Sequence, residues 1–275
     1  MRESTAQRRE RILSYIASSG HVMVKDLATA LSFSESTVRR DLRALARDNN
    51  IKLFYGGASL VRLVDSSFRG RIIRNVEAKR VIGGLAATLV HDGDTIFIDS
   101  STTSFQIIPH LKSRCNLTVV THSARVALEF DVSSVKVIHI GGICRPGVLD
   151  NVGPMTIAAI EDMRNYIGFL GVDGLGMDFG ASVFDPEAAY IASAVARTAR
   201  KTVILADQTK FRQNSIHKFA AFDRISCIVT DQLPSSQWID FCSERGVEIL
   251  APAGHSHKPA ASSPDSKRRA RQSSR

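Results

Sequence analysis

The chain has no apolar run near the ~18 residues that a membrane-spanning helix needs, which excludes an integral helical membrane protein. Met1 to Arg11 are charged and lack the apolar stretch of a secretory signal. Four cysteines, at 115, 144, 227 and 242, show no CxxC spacing, and the eight histidines do not gather beside them. That argues against a zinc site or a disulfide frame and for free, mostly buried thiols in a reducing cytoplasm. No metal, no cofactor and no membrane partner is expected, and no repeat of fixed period is present.

What the sequence does hold is an uneven charge. At 275 residues it has room for about two domains, and its 44% hydrophobic and 23% charged residues are ordinary for a globular protein. The formal net charge of +9 is concentrated at the ends: residues 1–64 carry +5, residues 258–275 carry +5, and the long middle carries −1. This is the distribution of a nucleic-acid-binding module joined to a body with another task.

The first module is legible in detail. Residues 5–19 place Ile12, Leu13 and Ile16 at helical spacing and end at Ser19-Gly20. A second helix is expected over 24–31, with Leu27, Ala28 and Leu31 on one face. After Ser32-Phe33-Ser34, Ser34 serves as N-cap for a third helix over 35–48, whose Val38, Leu42 and Leu45 face inward. Residues 51–61 read as strand, Gly56-Gly57 turn, strand. Three helices and a hairpin make a winged helix-turn-helix over 1–62. Its third helix presents Ser36, Thr37, Arg39, Arg40 and Arg43, side chains that donate to base edges and phosphates in a major groove. Lys25, Ser34 and Tyr55 complete the expected DNA contacts. Asp41, within this basic helix, is read as orienting a neighbouring arginine or closing the helix against the wing.

These residues carry a resemblance. Val38-Arg39-Arg40-Asp41-Leu42 and the wing Tyr55-Gly56-Gly57-Ala58 resemble the DNA-binding domain of the DeoR family of bacterial sugar-metabolism regulators. That family usually has His where Tyr55 stands.

After an Arg-rich linker over 63–76 the pattern changes to helices alternating with β-rich apolar runs. A helix is expected over 77–90. Strands are expected at 95–98, 117–120, 136–140, 167–170, 202–205, 227–229 and 247–250, with helices over 123–130, 154–164 and 186–200. The expected fold class is α/β with a mostly parallel sheet, spanning 77–253, followed by a disordered basic tail over 254–275. Lys267-Arg268-Arg269-Ala270-Arg271 in that tail is either a solubilising extension or a sequence-independent contact to DNA phosphates.

Several strands end in small polar residues, which a parallel sheet brings to one edge. These are Asp99, Ser100, Ser101, Thr102 and Thr103; Thr121, His122 and Ser123; Gly142; Gly171, Asp173 and Gly174; and Asp207 and Lys210, with Glu187 nearby. Ser100 to Thr103, between a strand and a helix start, suit a phosphate, Lys210 adds a point charge, and the acids suit sugar hydroxyls. Asp185-Pro186 also reads simply as N-cap and N1 of a helix.

Here too the chain resembles the DeoR family, through Asp94-Thr95-Ile96-Phe97-Ile98-Asp99-Ser100, Leu170-Gly171-Val172-Asp173-Gly174 and Leu205-Ala206-Asp207-Gln208-Thr209-Lys210-Phe211. The resemblance implies a sensor domain similar to ribose-5-phosphate isomerase and glucosamine-6-phosphate deaminase, a phosphorylated sugar effector, a double-stranded DNA operator and a homo-oligomer, dimer or tetramer. Two departures fall in the expected pocket. Ser101 replaces the usual glycine, and His122 replaces the usual asparagine, bringing a titratable group near the ligand. The expected function is a repressor of carbohydrate-metabolism genes. The alternative is a sugar-phosphate isomerase or deaminase carrying a DNA-binding appendage, with Asp99, Glu187 or Asp207 as base.

Overall fold

The computed structural model describes residues 5–19, 21–47, 51–54, 56–60, 68–130, 134–252 and 256–257. Helices α1 (Thr5–Ser19), α2 (Val24–Leu31) and α3 (Glu35–Arg47), with strands β1 (His21–Met23), β2 (Ile51–Phe54) and β3 (Gly57–Leu60), form the N-terminal unit. Ile12 and Ile16 of α1, Leu27 of α2, and Val38, Leu42 and Leu45 of α3 close on one another and on Val22, Ile51 and Ala58. The hairpin forms where the Gly-Gly pair placed it, with Phe54 opposite Gly57. Strand β1 was not expected. It is three residues long and exists by pairing with β3, His21 opposite Ser59, a contact that no local pattern announces.

The expected linker is more than a linker. Residues 61–67 lie outside the described residues, but helix α4 (Phe68–Ile72) follows them, and Ile73 packs against the N-terminal core. Phe68 is buried, edge-on to Phe105 at 5.3 Å, with the Arg125 guanidinium over its ring at 4.8 Å. One short segment thus touches both units.

Helix α5 (Val76–Ala87) opens the α/β unit. The elements then run β4 (Thr95–Ile98), β5 (Leu117–Thr121), α6 (Ala124–Glu129), β6 (Val135–His139), β7 (Ile143–Arg145), β8 (Asp150–Val152), α7 (Pro154–Glu161) and β9 (Ile167–Gly171). They continue with β10 (Gly174–Gly176), β11 (Gly180–Val183), α8 (Pro186–Thr198), β12 (Lys201–Leu205), β13 (His217–Ala220), β14 (Cys227–Val229), α9 (Ser236–Glu244), β15 (Glu248–Leu250) and β16 (Ser256–His257). The main sheet has the order β16-β15-β14-β12-β9-β4-β5-β6, parallel throughout except at the edge strand β16. Both faces are covered: Phe97, Leu170, Ile204 and Ile228 pack on one side, and Ile96, Ile98, Phe169 and Val203 on the other. Burial on both faces is why these strands read as unbroken apolar runs.

Three details depart from expectation. Ser256–His257, placed in the disordered tail, pairs antiparallel with β15, while residues 258–275 lie outside the described residues. The cysteines are free, but only Cys227 and Cys242 are buried; Cys115 and Cys144 are exposed. Strands β10, β11 and β13 form a small antiparallel sheet that the alternating pattern did not signal.

The connectivity places the site. From β4 the chain moves outward through β5 to β6, then returns to lay β9 against the other side of β4 and moves outward through β12, β14 and β15. The order reverses between β4 and β9, and a crevice opens there, outside the carboxyl ends of the strands.

Candidate functional site

The N-terminal unit offers a basic helix with its reading face free of core contacts. The Ser34 hydroxyl accepts from the Thr37 N–H at 3.2 Å, which caps α3, and lies 2.8 Å from the Thr37 hydroxyl. Val38, Asp41, Leu42 and Leu45 are buried, which turns Ser36, Arg40 and Arg43 outward on one stripe, i, i+4, i+7. Arg39 is exposed too, paired with Glu35 at 2.6 Å. Lys25 is exposed in the first turn of α2, and Tyr55 lies outside the described residues.

Asp41 holds arginines, those of α1, and does not close its helix against the wing. It is fully buried and accepts from Arg8 Nε at 2.6 Å and Arg9 Nε at 3.1 Å, tying α3 to α1 rather than to the wing. Burial pushes its carboxyl up, but hydrogen bonds and attraction from the two arginines bring it below the usual range. Removing this carboxylate leaves two part-buried guanidinium groups without their shared partner. Full burial of such a pair would make that cost ~3–5 kcal/mol; the exposure of Arg8 and Arg9 reduces it to about 2 kcal/mol. The variant Asp41→Ala should unfold its N-terminal unit earlier in urea by about that amount, and a midpoint equal to wild type would contradict the assignment.

The α/β unit holds a cavity of ≈ 740 Å³ at the switch point. The end of β4 contributes Asp99, Ser100, Ser101, Thr102 and Thr103; the end of β9 contributes Gly171 and Asp173; the end of β12 contributes Asp207 and Lys210. Asp99 ties the two central strands together, accepting from Gly171 N–H at 2.8 Å and Ser101 N–H at 3.0 Å. Ser101 lines the cavity with its hydroxyl already engaged. Its hydroxyl gives to Ser104 Oγ at 2.8 Å, accepts from Ser104 N–H at 3.1 Å, and packs so closely on Gly171 that a Cβ there would collide with it. Asp207 caps its own turn, accepting from Thr209 N–H at 2.9 Å.

The remaining expected residues do not line the cavity. Thr121, His122 and Ser123 are buried below it: Thr121 Oγ1 donates to Ile98 O at 2.8 Å, and Ser123 caps α6. His122 is 2% exposed and stacks on Phe97 at 5.7 Å. Burial lowers its pKa, while Asp150 and Asp99 resist that shift. It is a buried neighbour of Asp150, 3.9 Å away, and does not line the cavity. The reason is topological, because β5 and β6 lie outward of the reversal between β4 and β9. Gly142 is exposed, and a Cβ there would collide with Thr156 Oγ1. Gly174 begins β10, and Glu187 sits in the first turn of α8, where Asp185 is indeed the N-cap.

The sequence reading passed over two groups that the cavity uses. Arg145 bridges acids: it donates to Asp150 at 2.8 and 2.7 Å and to Asp185, and Ser100 donates to Asp150 at 3.0 Å. The other group is the segment around α4 and α5. Arg71, Arg74, Asn75 and Lys79 line the cavity together with Ser14 of α1. Asn75 takes the left-handed conformation, φ 50°, and donates to Asp207 at 3.2 Å. Lys79 is buried and donates to the Arg71 carbonyl. Burial pushes the Lys79 ammonium down to about 8; Asp207 opposes this, and Lys210, Arg71 and Arg74 add to it. Arg71, Arg74 and Asn75 fall in the Arg-rich run read as a linker, and Lys79 in the helix expected after it.

Two family models match the chain. Residues 8–63 match the DeoR-like helix-turn-helix domain, and residues 74–232 match the DeoR C terminal sensor domain. The chain is 31% identical over 228 residues to the HTH-type transcriptional regulator GolR of Listeria innocua, covering 82% of this chain and 90% of that one. It is 29% identical over 242 residues to the HTH-type transcriptional repressor GlcR of Bacillus subtilis, covering 87% and 93%. It is 27% identical over 245 residues to the glycerol-3-phosphate regulon repressor of Escherichia coli, covering 88% and 97%. The likeness to the solved ribose 5-phosphate isomerase A of Methanocaldococcus jannaschii is slight, with a TM-score of 0.36 at 16% identity over 50% of this chain and 55% of that one.

Proposed function

Because the chain belongs to the DeoR family of DNA-binding transcriptional regulators, we propose that it is a repressor of carbohydrate-metabolism genes whose operator affinity is set by a phosphorylated sugar held in the switch-point cavity. The family places it among regulators, so the reading as an isomerase or deaminase falls away. The observation that carries the proposal is the composition of the cavity. Lys210, Arg71 and Arg74 lie within electrostatic reach of the Lys79 ammonium, with Asp207 among them, and the lining also holds Asp99 and Asp173 as acceptors for hydroxyls. A polyol carrying a phosphate matches a lining that offers both cations and carboxylate acceptors. The relatives point the same way, since one is named for a glycerol-3-phosphate regulon.

On the DNA side, Ser36, Thr37, Arg39, Arg40 and Arg43 of α3 read the major groove, with Lys25 and Ser34 at phosphates. The protein acts in the cytoplasm as a homo-oligomer, dimer or tetramer, on paired half-sites. Exposed Met155, Phe184, Tyr190 and Ile216, each more than 60% accessible, supply apolar surface for subunit contacts.

The test begins with a ligand screen. Full-length protein is melted with a panel of aldose, ketose and polyol monophosphates and their unphosphorylated parents. The expected result is that one phosphorylated compound raises the sensor Tm and its parent does not. A ligand at 100 times its Kd stabilises by about 2.7 kcal/mol, or roughly 5–10 °C for a domain of this size. No shift from any phosphate ester would reject the effector class.

A further inference from the structure

Residues 71–79 connect two places that a regulator must connect. Arg71, Arg74 and Lys79 line the cavity together with Lys210. Around the Lys79 ammonium these cations are answered by one nearby carboxylate, Asp207. That carboxylate already accepts hydrogen bonds from Asn75 and Thr209. The Arg71 Nε is buried with no hydrogen-bond partner among the described residues. An excess of cations around a buried ammonium, with a buried donor left over, is an environment that an anion completes.

Between Arg71 and Arg74, half-buried Ile73 lines the cavity and packs against the core formed by α1, α2 and α3. Ser14 of α1 reaches the same cavity. The segment is held to the sensor by Asn75 on Asp207, and the helix before it by Phe68 against Phe105. Its three cavity-lining cations and its one apolar anchor in the DNA-binding unit therefore lie within nine residues. Any movement that brings Arg71 and Arg74 onto an anion also moves the residue between them.

We propose that residues 71–79 are an anion-operated coupler: a phosphate group seats between Arg71, Arg74, Lys79 and Lys210, and the resulting shift reaches the helix-turn-helix through Ile73. This rests on the reading of the cavity as the effector site and adds which residues take the phosphate and how DNA affinity responds. The coupling follows ordinary linkage. A ligand changes operator affinity only as far as it binds the two positions of the segment unequally, and couplings of this kind are typically 5- to 150-fold.

The experiment uses the full chain, a duplex selected by the wild-type protein from a random library, inorganic phosphate as the probe of the anion seat, and the sugar-phosphate panel as effector. Calorimetric titration with phosphate should give at least tenfold weaker binding for Arg71→Gln and for Lys79→Met than for wild type. Arg71→Gln, at a less buried position, keeps the test valid if Lys79→Met unfolds. For wild type, the duplex Kd with and without saturating effector should differ at least fivefold. For Ile73→Ala, measured at effector concentrations that saturate that variant, the ratio should fall below twofold.

Equal phosphate affinity in wild type and Arg71→Gln overturns the anion seat. A full effector response in Ile73→Ala overturns the coupling. Failure of every phosphate ester to bind wild type overturns the effector reading and this inference together. Binding that is intact in wild type and in Arg71→Gln alike overturns only the inference.

Discussion

The double variant Arg40→Ala/Arg43→Ala is expected to lose specific operator binding by roughly 30-fold to 10⁴-fold while unfolding at the wild-type denaturant midpoint. The size follows from what the two side chains do. Each bidentate contact from arginine to a base edge contributes about 1–3 kcal/mol of discrimination, so two lost contacts cost ~2–6 kcal/mol. The unchanged midpoint follows from position. Both arginines stand on the exposed stripe of α3, and the helix is held by Val38, Leu42 and Leu45 on its other face. Substitutions at such surface positions stay within about 0.5 kcal/mol of wild type. Binding to unrelated duplex should survive, with a shallower salt dependence, because other basic groups still meet phosphates. Electrophoretic mobility shifts with specific and scrambled duplexes separate the two effects. Equal losses on both would make α3 a phosphate-binding helix and not a reading helix.

The second large effect belongs to Asp150→Ala. Asp150 is 1% exposed and accepts two hydrogen bonds from Arg145 and one from Ser100. It fixes the wall of the cavity on the side of the β4 loop. Deleting it leaves Arg145 with Asp185 alone. Breaking a fully buried pair costs ~3–5 kcal/mol, and the partial exposure of Arg145 reduces this to about 2–3 kcal/mol. For a domain of this size that is a fall of roughly 5–10 °C in Tm. The pH dependence has a definite sign. Burial pushes the Asp150 carboxyl up, but the Arg145 hydrogen bonds, the charges of His122 and Arg145 and the Ser100 hydrogen bond bring it below its ordinary 3.8. A depressed carboxylate contributes stability that is complete above about pH 4 and is lost as pH falls through the lower folded value. The gap in Tm between wild type and Asp150→Asn should therefore be constant from pH 7 to pH 5 and narrow below pH 4. Scanning calorimetry across that range measures it, and a gap that widened in acid would contradict the ion-pair account.

The sequence made the frame legible where local periodicity and burial agree. Strands β4 and β14 fall on the residues expected for them, and the other five parallel strands differ by one or two residues at their ends. Elements that exist through distant pairing were not legible: β1 depends on β3, and β11 lies between β10 and β13. The same division holds at the site. The rule that strand ends converge on one edge identified Asp99 to Thr103, Gly171, Asp173, Asp207 and Lys210. It also collected Thr121 to Ser123 and Gly142, because sequence order does not reveal that β5 and β6 lie outward of the reversal beside β4. Arg71, Asn75 and Lys79 were missed for the opposite reason. A basic run after a DNA-binding module reads as a linker until the fold shows it lining the cavity, with Lys79 buried beside Asp207.

The central claim is that occupation of the switch-point cavity changes how tightly α3 holds DNA. The most direct measurement is the Kd of the wild-type protein for its selected duplex, at one fixed salt concentration, with and without the sugar monophosphate that raises its Tm. The account predicts binding at least fivefold weaker with the effector present, and no change with the unphosphorylated parent sugar. An affinity equal in both conditions, with the cavity shown to be filled, would contradict it.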